Sequence, residues 1–191
     1  MSQPDARPVA DALVMVDVQR GLVSGPHAVG GAEPFLDRVS AVLRAARAAG
    51  ATVVHLQDEG TDEGSLIPRG SVGWELALPV RQDEVVVQKA RDDGFDSTDL
   101  EATLRRAGAT RLCLVGIQSE MCVAGTARGA LARGYTVVLP RDTHTTYDVP
   151  ADGAAPAVPA RLVARVAEWS LGDGVVAPDR ASEVEFVGAQ G

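Results

Sequence analysis

The sequence predicts an α/β fold, a mostly parallel sheet covered by helices. Two observations carry this. Short apolar runs rich in β-branched residues alternate along the chain with segments whose apolar residues recur at helical spacing. The strand runs are also apolar on both faces, as in ALVMVDV from Ala12 to Val18, which is what a sheet buried on both sides requires.

Residues 1–11 are polar, carry Pro4 and Pro8, and are expected to form a loose, flexible tail ahead of a single domain over 12–191. Ala12 to Val18 is the first strand. Asp17 interrupts it near its end, where a carboxylate is tolerated only if it is paired or sits at an open strand end. Gln19 to Glu33 reads as a glycine-rich loop. Pro34 suits the first turn of a helix over Pro34 to Ala49, whose Phe35, Val39, Val42, Leu43 and Ala46 share one face, and Gly50 stops it. Ala51 to Leu56 is the second strand. Gln57 to Gly73 is polar and too long for a mere connection, so it is a candidate substrate lid. Trp74 to Leu78 reads as one helical turn.

The third strand is Asp83 to Gln88, with Lys89 at its end. Ser97 is expected to cap a helix over Thr98 to Ala107, with Leu100 and Leu104 inward and Gly108 as its stop. Leu112 to Val115 is the fourth strand, followed by a sharp turn at Gly116 to Glu120. Ser119 reads as the N-cap of a helix over Glu120 to Arg133, and Gly134 closes it. The fifth strand is Tyr135 to Leu139, and Thr143 to Tyr147 is a short helix or turn. Val149 to Ala160 is a surface loop. A helix over Arg161 to Trp169 spaces Leu162, Val163, Val166 and Trp169 for burial, Gly172 to Ala181 is a turn region, and Glu183 to Val187 alternates as a sixth, edge-like strand.

A chain of 191 residues can bury a sizeable core in one domain. Its net charge of −8 and the lack of any basic stripe argue against nucleic acid or an anionic membrane as partner. No segment approaches the roughly 20 apolar residues of a membrane span. The apolar run near the N-terminus is too short for a secretion signal. Cys113 inside a strand and Cys122 at a helix start make no disulfide framework, so a reducing, cytoplasmic setting is expected.

The chemistry gathers around the fourth strand. Cys122 falls in the first turn after a strand–turn unit, among backbone N–H groups that favour a thiolate and are able to hold an oxyanion. Cys113, within the strand, reads as core. Asp17, Lys89 and Cys122 all fall at carboxyl ends of expected strands, where α/β proteins place their sites. Asp17 is positioned to take the thiol proton, and Lys89 to fix Asp17 and steady the thiolate.

These residues lie in segments that resemble the isochorismatase-like cysteine hydrolases, a family that includes nicotinamidases and N-carbamoylsarcosine, ureidoacrylate and streptothricin hydrolases. The segments are VMVDVQ around Asp17, VVVQKARDDGFDSTDLEATLRRAG around Lys89, and VGIQSEMCVAGTARGALARGYTVVLPRD around Cys122. The resemblance covers about residues 12 to 148. It implies a three-layer, Rossmann-like domain with a six-stranded, mostly parallel sheet. It implies Asp17 as general base, Lys89 as its partner and Cys122 as nucleophile. It also implies a cis peptide at Ile117–Gln118 and an oxyanion hole from the amides of Gln118 and Cys122.

Gln19, Trp74, Phe95 and His144 are candidate walls of the substrate pocket. The histidines that nicotinamidases carry after the second strand are missing from HLQDEGTDEG, and His27, His55 and His144 lack ligand spacing. No metal and no cofactor are therefore expected, and His55 reads as a hydrogen-bonded core histidine. The expected reaction is hydrolysis of a small-molecule amide, lactam or ureido C–N bond through a thioester. The rivals are a vinyl-ether hydrolase that does not need the thiol, and a non-catalytic or redox-sensing protein. A homo-oligomer, dimer or tetramer, is expected from the family and from the small-residue helix of Ala124, Gly125, Ala127, Gly129 and Ala130.

Overall fold

A computed structural model describes residues 7–188. Its strands are β1 (Val9–Ala10), β2 (Ala12–Val16), β3 (Thr52–Asp58), β4 (Val85–Lys89), β5 (Arg111–Ile117), β6 (Thr136–Val138), β7 (His144–Thr145), β8 (Val175–Val176) and β9 (Glu185–Phe186). The helices are α1 (Arg20–Val23), α2 (Ala32–Ala48), α3 (Leu100–Arg106), α4 (Ala124–Ala132) and α5 (Ala160–Trp169). Six strands form one parallel sheet in the order β4-β3-β2-β5-β6-β8, and β7 adds to the end of β5.

Alternation along each strand sends side chains to two cores. Leu13, Met15, Cys113 and Val115 pack under Phe35, Val39, Val42, Leu43 and Ala46 of α2. Val14, Val16, Leu112 and Leu114 face Leu100 and Leu104 of α3 and Ala124, Ala127 and Ala130 of α4. The sheet is therefore buried on both faces, as its apolar strands require.

Several expectations are corrected. Glu185–Phe186 is not the sixth strand of the main sheet. It pairs with Val9–Ala10 in a separate two-stranded sheet, and the sixth position is taken by Val175–Val176 beside β6. Of the expected loose tail, Met1 to Ala6 lie outside the described residues, whereas Val9 to Asp11 are tied down. The buried Asp11 carboxylate accepts bonds from the backbone amides of Thr110 and Arg111, from the Thr110 hydroxyl and from the Arg111 guanidinium. A buried carboxylate is stable with that many donors. Ser97 does not cap α3. Its φ is 57°, it bonds Asp96, and Thr98 Oγ1 accepts the Leu100 amide instead. Residues 74–78 are not a helical turn but turn and bend residues around Leu76, which is bridged to Gln19, and His144–Thr145 is a strand.

The apolar stripe of α5 faces out, with Leu162, Val166 and Trp169 45%, 62% and 73% exposed. The face turned inward carries Glu168, which receives a two-pronged bond from Arg141. That charge-assisted pair orients the helix against its own hydrophobic pattern.

Candidate active site

The strand order reverses around β2. The chain leaves β2 for β3 and β4 on one side, then places β5, β6 and β8 on the other. A crevice opens at the carboxyl ends of β2 and β5, the switch point of such sheets. Four charged or nucleophilic residues meet there: Asp17 just after β2, Asp58 at the end of β3, Lys89 at the end of β4, and Cys122 in the turn after β5.

Lys89 is the hub. Its buried Nζ lies 2.8 Å from Asp17 Oδ2, 2.9 Å from Asp58 Oδ2, 3.1 Å from Cys122 Sγ and 3.2 Å from the Arg91 carbonyl. β3 and β4 set this up by pairing Asp58 directly with Lys89. Burial pulls the ammonium toward deprotonation, but Asp17, Cys122 and Asp58 outweigh it and hold the group above the ordinary lysine range. Burial pushes the Asp17 carboxyl up to about 6, against the opposing pull of Lys89. Asp17 Oδ1 is buried and has no hydrogen-bond partner among the described residues. The residue adopts φ 50°, a conformation uncommon for a side chain other than glycine and one that clusters at functional sites.

Cys122 sits in a π-helical turn, Ser119–Val123, that leads into α4, and the Val123 amide reaches back five residues to the Gln118 carbonyl at 3.1 Å. The Ile117–Gln118 peptide is cis. Burial raises the Cys122 thiol, the Asp17 charge raises it further and Lys89 lowers it, with a net upward shift. Burial and the Asp17 charge thus work against the thiolate that the helix-start amides favour, and Lys89 is the group that opposes them. Cys113 is sealed in the core, also held up by burial.

Glycines permit the close approaches. Gly116, at φ 141°, pairs with Val16, and a Cβ there would lie 2.0 Å from the Val16 carbonyl oxygen. Gly116→Ala is expected to cost about 3 kcal/mol, a fall of roughly 6–12 °C in Tm, because the β2 end carrying Asp17 must move. Thermal unfolding followed by circular dichroism checks this. On α4, a Cβ at Gly125 would meet the Asp92 backbone at 3.0 Å and one at Gly129 would meet the Asp93 carboxylate at 2.3 Å. The small-residue stripe therefore packs internally. It lets the segment after Lys89 lie against α4 and brings Asp92 Oδ1 to 3.6 Å from Cys122 Sγ, which donates to it.

A cavity of about 280 Å³ opens on this cluster. It is lined by Asp17, Asp58, Asp92, Gln118 and Cys122, by Leu22, Met121 and Tyr147, and by residues 62–67 of the long loop, which thus forms one wall. The four pocket candidates are placed elsewhere. Gln19 is fully buried and works as a pin: Nε2 donates to the Asp58 and Trp74 carbonyls, and Oε1 accepts the Asp58 amide. Trp74 contributes its carbonyl to that pin and to Gln57. Phe95 stacks on Tyr135 in the core, with Arg133 over its ring. His144 is buried behind the turn, held neutral by burial that lowers it to about 4, and its Nδ1 shares a 2.8 Å hydrogen bond with Ser119 Oγ. That bond also corrects the role of Ser119, whose hydroxyl caps no helix.

Asp58 and Asp92 belong to the site and were not singled out from the sequence. Asp58 was legible as a further charge at a strand end, had β3 been read two residues longer. Asp17, Asp58 and Cys122 are a group of potential metal ligands, with one donor atom each lying within 4.8 Å of the others. All three point at the Lys89 ammonium, so a fixed positive charge already serves them. His55 bonds Glu84 at 3.0 Å, away from this cavity.

Comparison with known proteins agrees with this architecture. Residues 11–169 match the family model described as Isochorismatase domain. The chain is 51% identical over 179 residues to a streptothricin hydrolase of Streptomyces noursei, covering 92% of this chain and 64% of that protein, so it spans less than two thirds of that relative. It is 30% identical over 175 residues to a ureidoacrylate amidohydrolase of Methylobacterium radiotolerans, covering 72% and 68%. A cysteine hydrolase structure from Pseudomonas syringae pv. phaseolicola superposes with a TM-score of 0.79 at 26% identity, covering 95% of this chain and 93% of that one. With a lysine-bridged strand-end cluster on a parallel sheet and a family match over most of its length, the chain belongs to the isochorismatase-like hydrolase family.

Proposed function

We propose that the chain is a cysteine-dependent hydrolase of a small-molecule C–N bond in an amide, lactam or ureido group, with a thioester intermediate. We place it among hydrolases of carbon–nitrogen bonds other than peptide bonds, a reading that its similarity to a streptothricin hydrolase and to a ureidoacrylate amidohydrolase supports. The observation that carries the mechanism is the unpartnered, buried Asp17 Oδ1, facing the cavity that holds the Cys122 sulfur while Oδ2 is fixed on Lys89.

Oδ1 takes the thiol proton as Sγ bonds to the carbonyl carbon, and the backbone amides of Gln118 and Cys122 hold the resulting oxyanion. Asp17 then protonates the nitrogen and the C–N bond breaks, releasing the amine or, from a lactam, leaving it tethered to the acyl group. Water loses a proton to Asp17 and attacks the thioester. The C–S bond breaks, Sγ regains the proton and a carboxylic acid departs. Lys89 stays protonated throughout and offsets the negative charge that passes between sulfur and carboxylate.

We read the described residues 9–188 as one functional domain, working without a cofactor in a reducing cytoplasm as a homo-oligomer. Among the described residues no helix is long and apolar enough to cross a membrane. The test is acid quenching during turnover of streptothricin and of a panel of simple lactams, amides and ureido compounds, followed by intact-mass and peptide analysis. An acyl adduct on Cys122 with at least one substrate is expected. Turnover without any adduct on Cys122, undiminished in Cys122→Ala, would overturn the mechanism.

A further inference from the structure

Every charged residue lining the cavity is acidic: Asp17, Asp58, Asp62, Glu63 and Asp92. Lys89 lies beneath the floor and is already shared between Asp17 and Asp58. Among the described residues, Asp62, Glu63 and Asp92 have no ion-pair partner, whereas the nearby Glu59 is bridged to Arg69. At the bottom of the same cavity lies the 2%-exposed Asp17, whose Oδ2 is held by Lys89 while its buried Oδ1 has no hydrogen-bond partner among the described residues. Like charges gathered around a concave surface focus a potential into it and draw in ligands of the opposite sign. Asp92, whose Oδ1 is 3.6 Å from the sulfur, brings this charge next to the bond being cleaved.

We infer that the pocket selects substrates carrying a protonated amine or guanidinium close to the scissile C–N bond, with Asp92 holding that cation and Asp62 and Glu63 drawing it in. This rests on the cysteine-hydrolase reading above and goes on to name the substrate class. An anionic ureido acid would meet repulsion from every charged wall residue. Leu22, Met121 and Tyr147 supply apolar surface for the uncharged remainder.

The experiment uses three methanethiosulfonates of similar size, one with a quaternary ammonium, one neutral and one with a sulfonate, each forming a mixed disulfide with Cys122 and releasing methanesulfinate. Second-order rates are taken by mass spectrometry at low salt, each divided by the same reagent's rate with free 2-mercaptoethanol. The cation-to-anion ratio is expected to be at least about tenfold in the wild type. It should fall toward one in 0.5 M NaCl, where screening acts within roughly 4–5 Å. It should also fall in the triple variant Asp62→Asn, Glu63→Gln, Asp92→Asn, but not in Glu33→Gln, Asp37→Asn, Asp99→Asn, which removes three charges elsewhere. Efficient labelling by the neutral reagent with a ratio near one would overturn the cation preference and leave the cysteine hydrolase standing. No labelling of Cys122 by any of the three would overturn both.

Discussion

Replacing Cys122 with alanine is expected to lower amide or lactam hydrolysis by at least about 10⁴-fold, the scale seen when a covalent nucleophile is removed. The fold should survive. Without the sulfur, the three hydrogens of the Lys89 ammonium still find Asp17, Asp58 and the Arg91 carbonyl. No buried charge is left unmatched, and the half-buried site loses little apolar contact. Thermal unfolding within about 2 °C of wild type, read beside steady-state kinetics, separates this from general damage. An ether hydrolase that does not use the thiol would keep its rate, so retention within tenfold of wild type sinks the thioester mechanism.

Asp17→Asn should divorce reactivity from catalysis. Hydrolysis is expected to fall about 10³-fold, because an amide cannot accept the thiol proton or return it to the amine. Alkylation of Cys122 by iodoacetamide should do the opposite. Burial and the Asp17 charge both hold the thiol protonated while Lys89 opposes them. Removing the carboxylate leaves burial against Lys89, so the labelling profile moves to lower pH and the rate near pH 7.5 rises roughly tenfold. In the wild type, kcat/KM should drop about tenfold per pH unit below about 6, where Asp17 takes up a proton and ceases to be a base. The variant's residual activity should lack that limb. An unchanged labelling profile in Asp17→Asn would show that the two side chains are not electrostatically coupled, and slower labelling would show that Asp17 activates the resting thiol instead of opposing its ionisation.

What the sequence could reveal of this site depended on how abrupt each signal was. Asp17 and Lys89 stand out because each ends an apolar run, where a charge is anomalous. Cys122 stands out by its place after a strand and a glycine turn. Asp58 was hidden because β3 continues through polar Gln57, which pairs with Gln88, so the last residues of a real strand look like the start of a loop. β8 and β9 are two residues each, too short for any periodicity to declare which sheet they join. For α5 the spacing gave the helix and its apolar stripe correctly but not the direction of that stripe. Glu168 and Arg141, nearly thirty residues apart, decide it. Gln19, Trp74, Phe95 and His144 misled for a common reason: a polar or aromatic residue near a strand end is as useful for bracing the scaffold as for touching a ligand.

The Gln19 pin also bears on how such an enzyme changes over evolutionary time. Its single amide holds the Asp58 backbone on both sides and grips the Trp74 carbonyl, where the long loop returns to the body. Between those anchor points Ile67 is buried, the Gly60 amide bonds the Asp58 carboxylate, and Gly60 and Gly73 lie against the backbone of Ile67 and Leu66, so the part that can change without moving the carboxylate that Lys89 needs is the largely exposed stretch 61–65. Residues 61–65 are thus a cassette: mutations there sample new ligands while the bond-breaking machinery keeps its geometry, and grafting that stretch between relatives is the natural route to new substrate range on this scaffold.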